Sequence, residues 1–340
     1  MPTFFEELSL YSFVNADSAN LDELENLKEN NIAPHDVTTN PTLILKAYNE
    51  SEKTKKLVDE VVAAMNASGV SEDHIEDAMD HIAVSVGCEV LKLIKGKVST
   101  ELDARYSFST EKTIEQGRKI ISLYESNGVA RDRVLLKIAS TWEGIQAIKQ
   151  LQKENINCNA TLIFSLPQAL AAADARAFVV SPFVGRISDW YKTREFETSQ
   201  DAGVLLVKSV FTALKKLGSR TEVMAASFRS LDQALCLTGA DMITLNPKFI
   251  HELGERQGEL ERVLDPTSAL SSDIPIKHLD ESSFRWVLNE NTMASDLLSD
   301  GIRKFANDAK TLENVVRDRF SLPKIKEAVN PEEFTAGIGF

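Results

Sequence analysis

The sequence predicts an α/β protein, a (β/α)8 barrel with additional helices and a C-terminal helical extension. Two observations predict it. Eight short runs of strand character alternate with amphipathic helical stripes between Tyr11 and Leu245. No G-x-G-x-x-G or G-x-x-x-x-G-K-[ST] loop follows any of them, which disfavours a doubly wound sheet.

Each element has its own signal. Tyr11–Asn15 reads as strand one, stopping at Ala16-Asp17-Ser18, and Leu21–Lys28 as a helix with acidic residues early and lysine late. Asp36–Thr39 is strand two; Asn40-Pro41 ends it because proline cannot donate to the ladder, and a helix resumes through Leu43, Ile44 and Ala47. Apolar stripes at Leu57–Met65 and Ile75–Leu93 predict two more helices. Gly96–Glu101 is strand three, followed by a helix that stops near Gly128. Arg133–Ser140 is strand four, and Ser140-Thr141-Trp142-Glu143 has the spacing of a capping box that opens the next helix. Asn157–Ile163 and Ala177–Ser181 are strands five and six. A polar stretch rich in Arg, Glu and Thr then leads to the stripe Val204–Leu214, ended by Gly218. Glu222–Ala226 and Asp241–Leu245 complete eight strands. Asn246–Leu264 reads as helical; a looser segment with Pro266 and Pro275 precedes Phe284–Leu288 and a last helix, Met293–Val316.

With 340 residues, 43% hydrophobic and 26% charged, the chain can bury a sizeable core. We read residues 1–320 as one domain and 321–340 as a tail with no assigned role. A net charge of −13 argues against nucleic acid or an anionic membrane as a partner of the whole surface, so an anion site would have to be local. The first residues lack a basic segment followed by an apolar core, so no signal peptide is expected. The longest uncharged stretch, Asn155–Ala173, contains Pro167 and polar residues and suits strand, loop and helix better than a membrane span. Cys88, Cys158 and Cys236 are odd in number and far apart, as in reduced cytoplasmic proteins. The five histidines show no ligand spacing, and no bound metal is expected.

Lys137 is the residue that asks for a function. It stands among Leu and Ile in a run with the composition of a strand covered on both faces, so it either projects into a closed interior or snorkels from an edge. In an interior, desolvation would lower its pKa and leave a neutral amine able to attack a carbonyl and form a Schiff base. Such chemistry needs proton-transfer groups, and the predicted strand ends supply them. Glu101 closes strand three and Asp17 follows strand one; alternatively, Glu101 pairs with Arg105 and Asp17 caps the next helix. Asn159 and Thr161, two apart on strand five, share a face, and Thr161 either holds a water between Glu101 and Lys137 or is simply a strand residue. Asn40 is a further candidate or a turn residue before Pro41. Arg186 and Arg229 follow strands six and seven, where barrels commonly bind phosphate; the alternative is two surface ion pairs. Phe183 is either an apolar wall near the imine or core packing.

Four segments, Asp36–Ile44, Val98–Arg105, Val134–Gly144 and Ser181–Ile187, resemble the signatures of the transaldolase family, and Met293–Ala306 is similar to its closing segment. The resemblance runs from the first strand to the last helix and leaves Ser321–Phe340 outside it. It implies a class I barrel that moves a dihydroxyacetone unit between sugar phosphates in the non-oxidative pentose phosphate pathway, without a cofactor; the sequence leaves open monomer or homodimer. By motif, Lys137 resembles the Schiff-base lysine and Glu101 the acid/base acting through a water held by Thr161. Asp17 resembles the group that takes the proton as the C–C bond breaks. Asn40, Asn159 and Ser181 resemble residues that hold the carbon skeleton, and Arg186 and Arg229 those that hold the phosphate. A tyrosine in place of Phe183 could direct a hydroxyl at water and release free dihydroxyacetone, so phenylalanine favours transfer. The alternatives are another lysine-dependent aldolase, such as one acting on fructose 6-phosphate, and a non-catalytic sugar-phosphate-binding barrel.

Overall fold

A computed structural model describes residues 1–67, 74–194, 200–274 and 276–325. Helix α1 (Phe4–Ser9) is opened by a capping box between Thr3 and Glu6 and leads through a turn at Tyr11 and Ser12 into β1 (Phe13–Asp17). Next come α2 (Leu21–Glu29), β2 (Val37–Thr38), α3 (Pro41–Glu50), α4 (Glu52–Ala67) and α5 (Ile75–Leu93). β3 (Val98–Glu101) is followed by a 3-10 turn at Ala104–Tyr106 and α6 (Thr110–Ser126), then β4 (Val134–Ala139) and α7 (Trp142–Lys153). The chain continues as β5 (Cys158–Ile163), α8 (Leu166–Asp174), β6 (Val179–Pro182), α9 (Val184–Thr193) and α10 (Ala202–Lys216). β7 (Glu222–Ala225), α11 (Leu231–Leu235), β8 (Met242–Leu245) and α12 (Pro247–Glu255) complete the cycle. Short α13 (Pro266–Ala269), α14 (Glu281–Glu290) and the 28-residue α15 (Thr292–Arg319) form the extension.

The eight strands close into one barrel in sequence order, β8 pairing with β1, every pair parallel. Residues of one parity, such as Val37, Leu136, Ile138, Val180 and Ile243, join the shell packed under the helices. Residues of the other parity fill the barrel. Leu135, Val179, Met224 and Met242 make a small apolar cluster at its N-terminal end, and the inward positions nearer the C-terminal ends are polar. No helix among the described residues is long and apolar enough to cross a membrane.

Several elements differ from expectation for reasons of tertiary contact. β1 lies two residues later than read, because Phe13 aligns with Met242 and Asp17 with Thr38; Asp17 is therefore on the strand and does not follow it. The cap of α7 is Thr141, whose side chain accepts from Gly144 N, so the capping box read from Ser140 does not form. Ser140 Oγ instead donates to Thr161 O, and Glu143 pairs with Arg285. The helix expected over Asn246–Leu264 ends at Glu255, because the chain turns back onto the N-terminus: Phe4 N donates to Arg256 O and Gly258 N to Pro2 O. Gly258, at φ 149°, makes that reversal at little steric cost. The sequence pattern gives no expectation of α1, α9 or α11, and α13 falls in the segment read as loose. Within the polar stretch after strand six, residues 195–199 lie outside the described residues, as do Pro275 and residues 326–340 of the tail.

Candidate active site

Lateral register builds the site. Residues paired across a parallel ladder share a face, and here Glu101 aligns with Lys137 and Lys137 with Asn159. Lys137 points inward and is 4% exposed, with its Nζ 3.0 Å from Glu101 Oε2. At that distance the two groups form a close, buried ion pair. Burial pushes the Glu101 carboxyl above the usual range, while Lys137 and then Arg186 pull it back and Asp17 adds to the rise. Four charged groups from β1, β3, β4 and α9 thus act on one another inside one site.

Other inward residues form two hydrogen-bonded groups. Ser181 Oγ donates to Asn159 Oδ1 at 2.6 Å, and Asn159 Nδ2 donates to Ser99 Oγ at 3.2 Å. Thr38 Oγ1 donates to Asp17 Oδ1 at 2.6 Å, which fixes that carboxylate at the end of β1; the cap of α2 is Asn20. Arg105 pairs with Asp103 and Glu313, leaving Glu101 to Lys137. Thr161 Oγ1 is buried without a protein partner among the described residues, and Thr161, Glu101 and Phe305 line a cavity of about 10 Å³, at the lower bound for one water molecule. Asn40 is 8% exposed and its Oδ1 accepts from Leu43 N at 2.8 Å, so it caps α3 just past β2.

Arg186 stands in the first turn of α9, whose start is held by backbone bonds from Val184 N to Ala226 O and from Gly185 N to Ser227 O. Gly185 is required there, since a Cβ would come within 2.4 Å of Ser227 O. No hydrogen bond or ion pair engages Arg186 among the described residues; its guanidinium lies 5.2 Å from the Phe183 ring centroid and 5.4 Å from that of Phe305. Burial pulls its pKa down, partly offset by Glu101, while Arg229 pulls it further down. Arg229 is bonded to Asp189 at 2.8 Å. Both arginines, with Arg303, Lys304, Asp189 and Asp300, line an open cavity of about 590 Å³, a volume suited to a small anionic ligand. Phe183 is buried, edge to face with Phe164 at 5.8 Å. Another cavity, about 660 Å³, opens at the opposite rim around Phe13 and His35, away from Lys137.

The structure therefore brings Lys137, Glu101, Asp17, Thr161, Asn159, Ser181, Phe183, Arg186 and Arg229 to one mouth of the barrel, with Asn40 at the β2 rim. Sequence reading missed Thr38, Ser99 and Phe305. Of these, Ser99 was reachable by strand parity with Glu101. Thr38 was not, because the expected strand one ended at Asn15 and only the register of β1 and β2 sets Asp17 level with Thr38. Phe305 was not, because on a helical stripe it reads as ordinary core. With a nucleophilic amine, two carboxylates and paired guanidiniums around one opening, the site can form and protonate an imine on a phosphorylated carbonyl compound.

A family model described as Transaldolase/Fructose-6-phosphate aldolase matches residues 14–316. A protein of Methylobacillus flagellatus named transaldolase is 44% identical over 323 residues, covering 94% of this chain and 100% of its own length. A probable transaldolase of Dictyostelium discoideum is 44% identical over 93% of this chain and 99% of its own. A transaldolase of Yersinia pseudotuberculosis is 46% identical over 84% of this chain and 90% of its own.

Proposed function

This chain belongs to the transaldolase/fructose-6-phosphate aldolase family, and from that premise we propose that it catalyses transaldolase transfer. A dihydroxyacetone unit moves reversibly from sedoheptulose 7-phosphate to glyceraldehyde 3-phosphate, giving erythrose 4-phosphate and fructose 6-phosphate. The observation that carries the reading is the buried pair of Lys137 and Glu101 at 3.0 Å, within the mouth that also holds Asp17 and Arg186.

The Lys137 amine attacks the ketose C2, and the carbinolamine loses its hydroxyl as water with a proton relayed from Glu101 through a water beside Thr161. The iminium then accepts the electron pair of the C3–C4 bond as Asp17 removes the proton from the C4 hydroxyl and the aldose phosphate leaves. The resulting enamine attacks the acceptor aldehyde, and the steps reverse. Asn40, Asn159 and Ser181 hold the three-carbon unit, while Arg186 and Arg229 hold the phosphate. Binding at Arg229 requires the phosphate to compete with Asp189.

Transfer is favoured over free aldol cleavage because Phe183, buried against Phe164, offers no hydroxyl to activate water at the enamine. The free thiols of Cys88, Cys158 and Cys236 suit a reducing, cytoplasmic compartment.

The test is borohydride reduction with fructose 6-phosphate and no acceptor, followed by peptide mapping. The expected result is a covalent adduct on Lys137, absent from Lys137→Met, with little free dihydroxyacetone before erythrose 4-phosphate or glyceraldehyde 3-phosphate is added. An adduct that persists in Lys137→Met would remove the lysine from the mechanism. Rapid acceptor-free release of dihydroxyacetone would make the chain an aldolase instead.

A further inference from the structure

Helix α15 turns one aromatic ring onto the barrel mouth. Phe305 is 4% exposed; its ring centroid lies 5.6 Å from Lys137 Nζ and 5.4 Å from Arg186 Cζ. Building on the Schiff-base reading above, we propose that Phe305 is a positioning residue whose single ring, shared by the two cations, sets the span between the imine nitrogen and the phosphate-binding guanidinium and stabilises the iminium charge.

The rest of the local geometry agrees. Arg186 has no carboxylate or hydrogen-bond partner among the described residues to fix it, so the rings of Phe305 and Phe183 are what it rests on. One helical turn before Phe305, Gly301 clears the space: a Cβ there would come within 3.2 Å of Arg186 Nη1 and 2.7 Å of Leu162 Cδ2. α15 is fastened on either side of Phe305, by Trp190 Nε1 donating to Asp296 at 3.0 Å and by Arg105 pairing with Glu313 at 3.2 Å. The face of an aromatic ring attracts cations, more so where water is excluded, and an aliphatic side chain of similar bulk would wall off water without that attraction.

The experiment replaces Phe305 with mono-, di- and trifluorinated phenylalanine, which weaken the ring's pull on cations while nearly preserving its shape. The expected result is a stepwise fall in kcat/KM for fructose 6-phosphate, roughly tenfold across the series. The fall should be smaller for unphosphorylated fructose, which does not use Arg186, and Tm should stay constant. Phe305→Leu should lose at least as much as the trifluorinated protein. A flat series, or equal losses on both sugars, would overturn the role of Phe305. Borohydride adducts on Lys137 are scored in parallel. Adducts throughout a flat series would remove only Phe305 from the account, whereas no adduct in the parent protein would remove the Schiff-base reading and this inference together.

Discussion

An ammonium and a carboxylate facing each other inside a barrel are a poor means of stabilising it. Desolvating each ion costs about several kcal/mol, and mutual attraction returns that only with good geometry and further hydrogen bonds. The Lys137–Glu101 pair is close, at 3.0 Å, but Glu101 Oε2 has no further hydrogen-bond partner among the described residues. Its retention makes sense as chemistry. The same reasoning applies to Thr161, whose buried hydroxyl has no protein partner among the described residues yet lines the small cavity beside Glu101. Thr161→Val keeps the shape and removes the hydroxyl. Its stability in urea is expected to stay within about 1 kcal/mol of the parent, while kcat falls at least about tenfold, as loss of assisted proton transfer implies. Unchanged turnover would reduce Thr161 to a packing residue. At this scale Lys137, Glu101, Asn159 and Thr161 were legible because strand parity and an ammonium in an apolar run are local signals. Ser140 and Thr141 were not separable, since both have a cap's chemistry and the choice fell on the hydroxyl that reaches Gly144 N.

Among the elements, α15 has the most unusual position. Its stripe of Met293, Leu298, Ile302, Phe305, Leu312 and Val316 announces a helix with one buried face; the structure lays the first four over the mouth of the barrel and packs Leu312 and Val316 into the outer shell. Gly301 sits in this helix against propensity, since alanine would favour the helix by about 1 kcal/mol. What the glycine permits is close approach to Leu162 and Arg186. Gly301→Ala is therefore expected to raise KM for fructose 6-phosphate several-fold, by displacing the guanidinium, with stability changed little because the propensity gain offsets the contact. Steady-state kinetics with a urea titration separate the two; an unchanged KM would show that Arg186 shifts freely. The first helix after β6 shows the limit of local reading. Ser181-Pro182-Phe183-Val184-Gly185 carries no side-chain cap, and the first N–H groups of α9 are satisfied by the backbone beyond β7, over 40 residues away.

Across the whole molecule, the barrel has one reactive end and one that need only be stable. Glu222 begins β7 at the second, with a buried Oε2 that has no hydrogen-bond partner among the described residues. Burial, with Asp241 adding to it, pushes this carboxyl up. An acid raised on folding binds its proton more tightly in the native chain, so its contribution to stability is intact below its unfolded value, about pH 4.3, and is lost as pH rises through the native value. Glu222→Gln, neutral throughout, is accordingly expected to raise Tm by roughly 2 °C near pH 7 and to converge on the parent near pH 4, by calorimetry at both pH values; no gain near neutrality would mean the carboxylate is adequately solvated. On its own, the sequence determined the alternation of eight strands with helices and the chemical types gathered at the strand ends, because periodicity is written into nearest neighbours; it left open whether Lys137 faces the interior or snorkels from an edge. Only the tertiary structure decided which strand residues stand level, that Thr38 holds Asp17, and that a phenylalanine nearly 170 positions after Lys137 covers it. Register and closure arise from contacts between segments remote in the chain, and no local pattern encodes the distance between them.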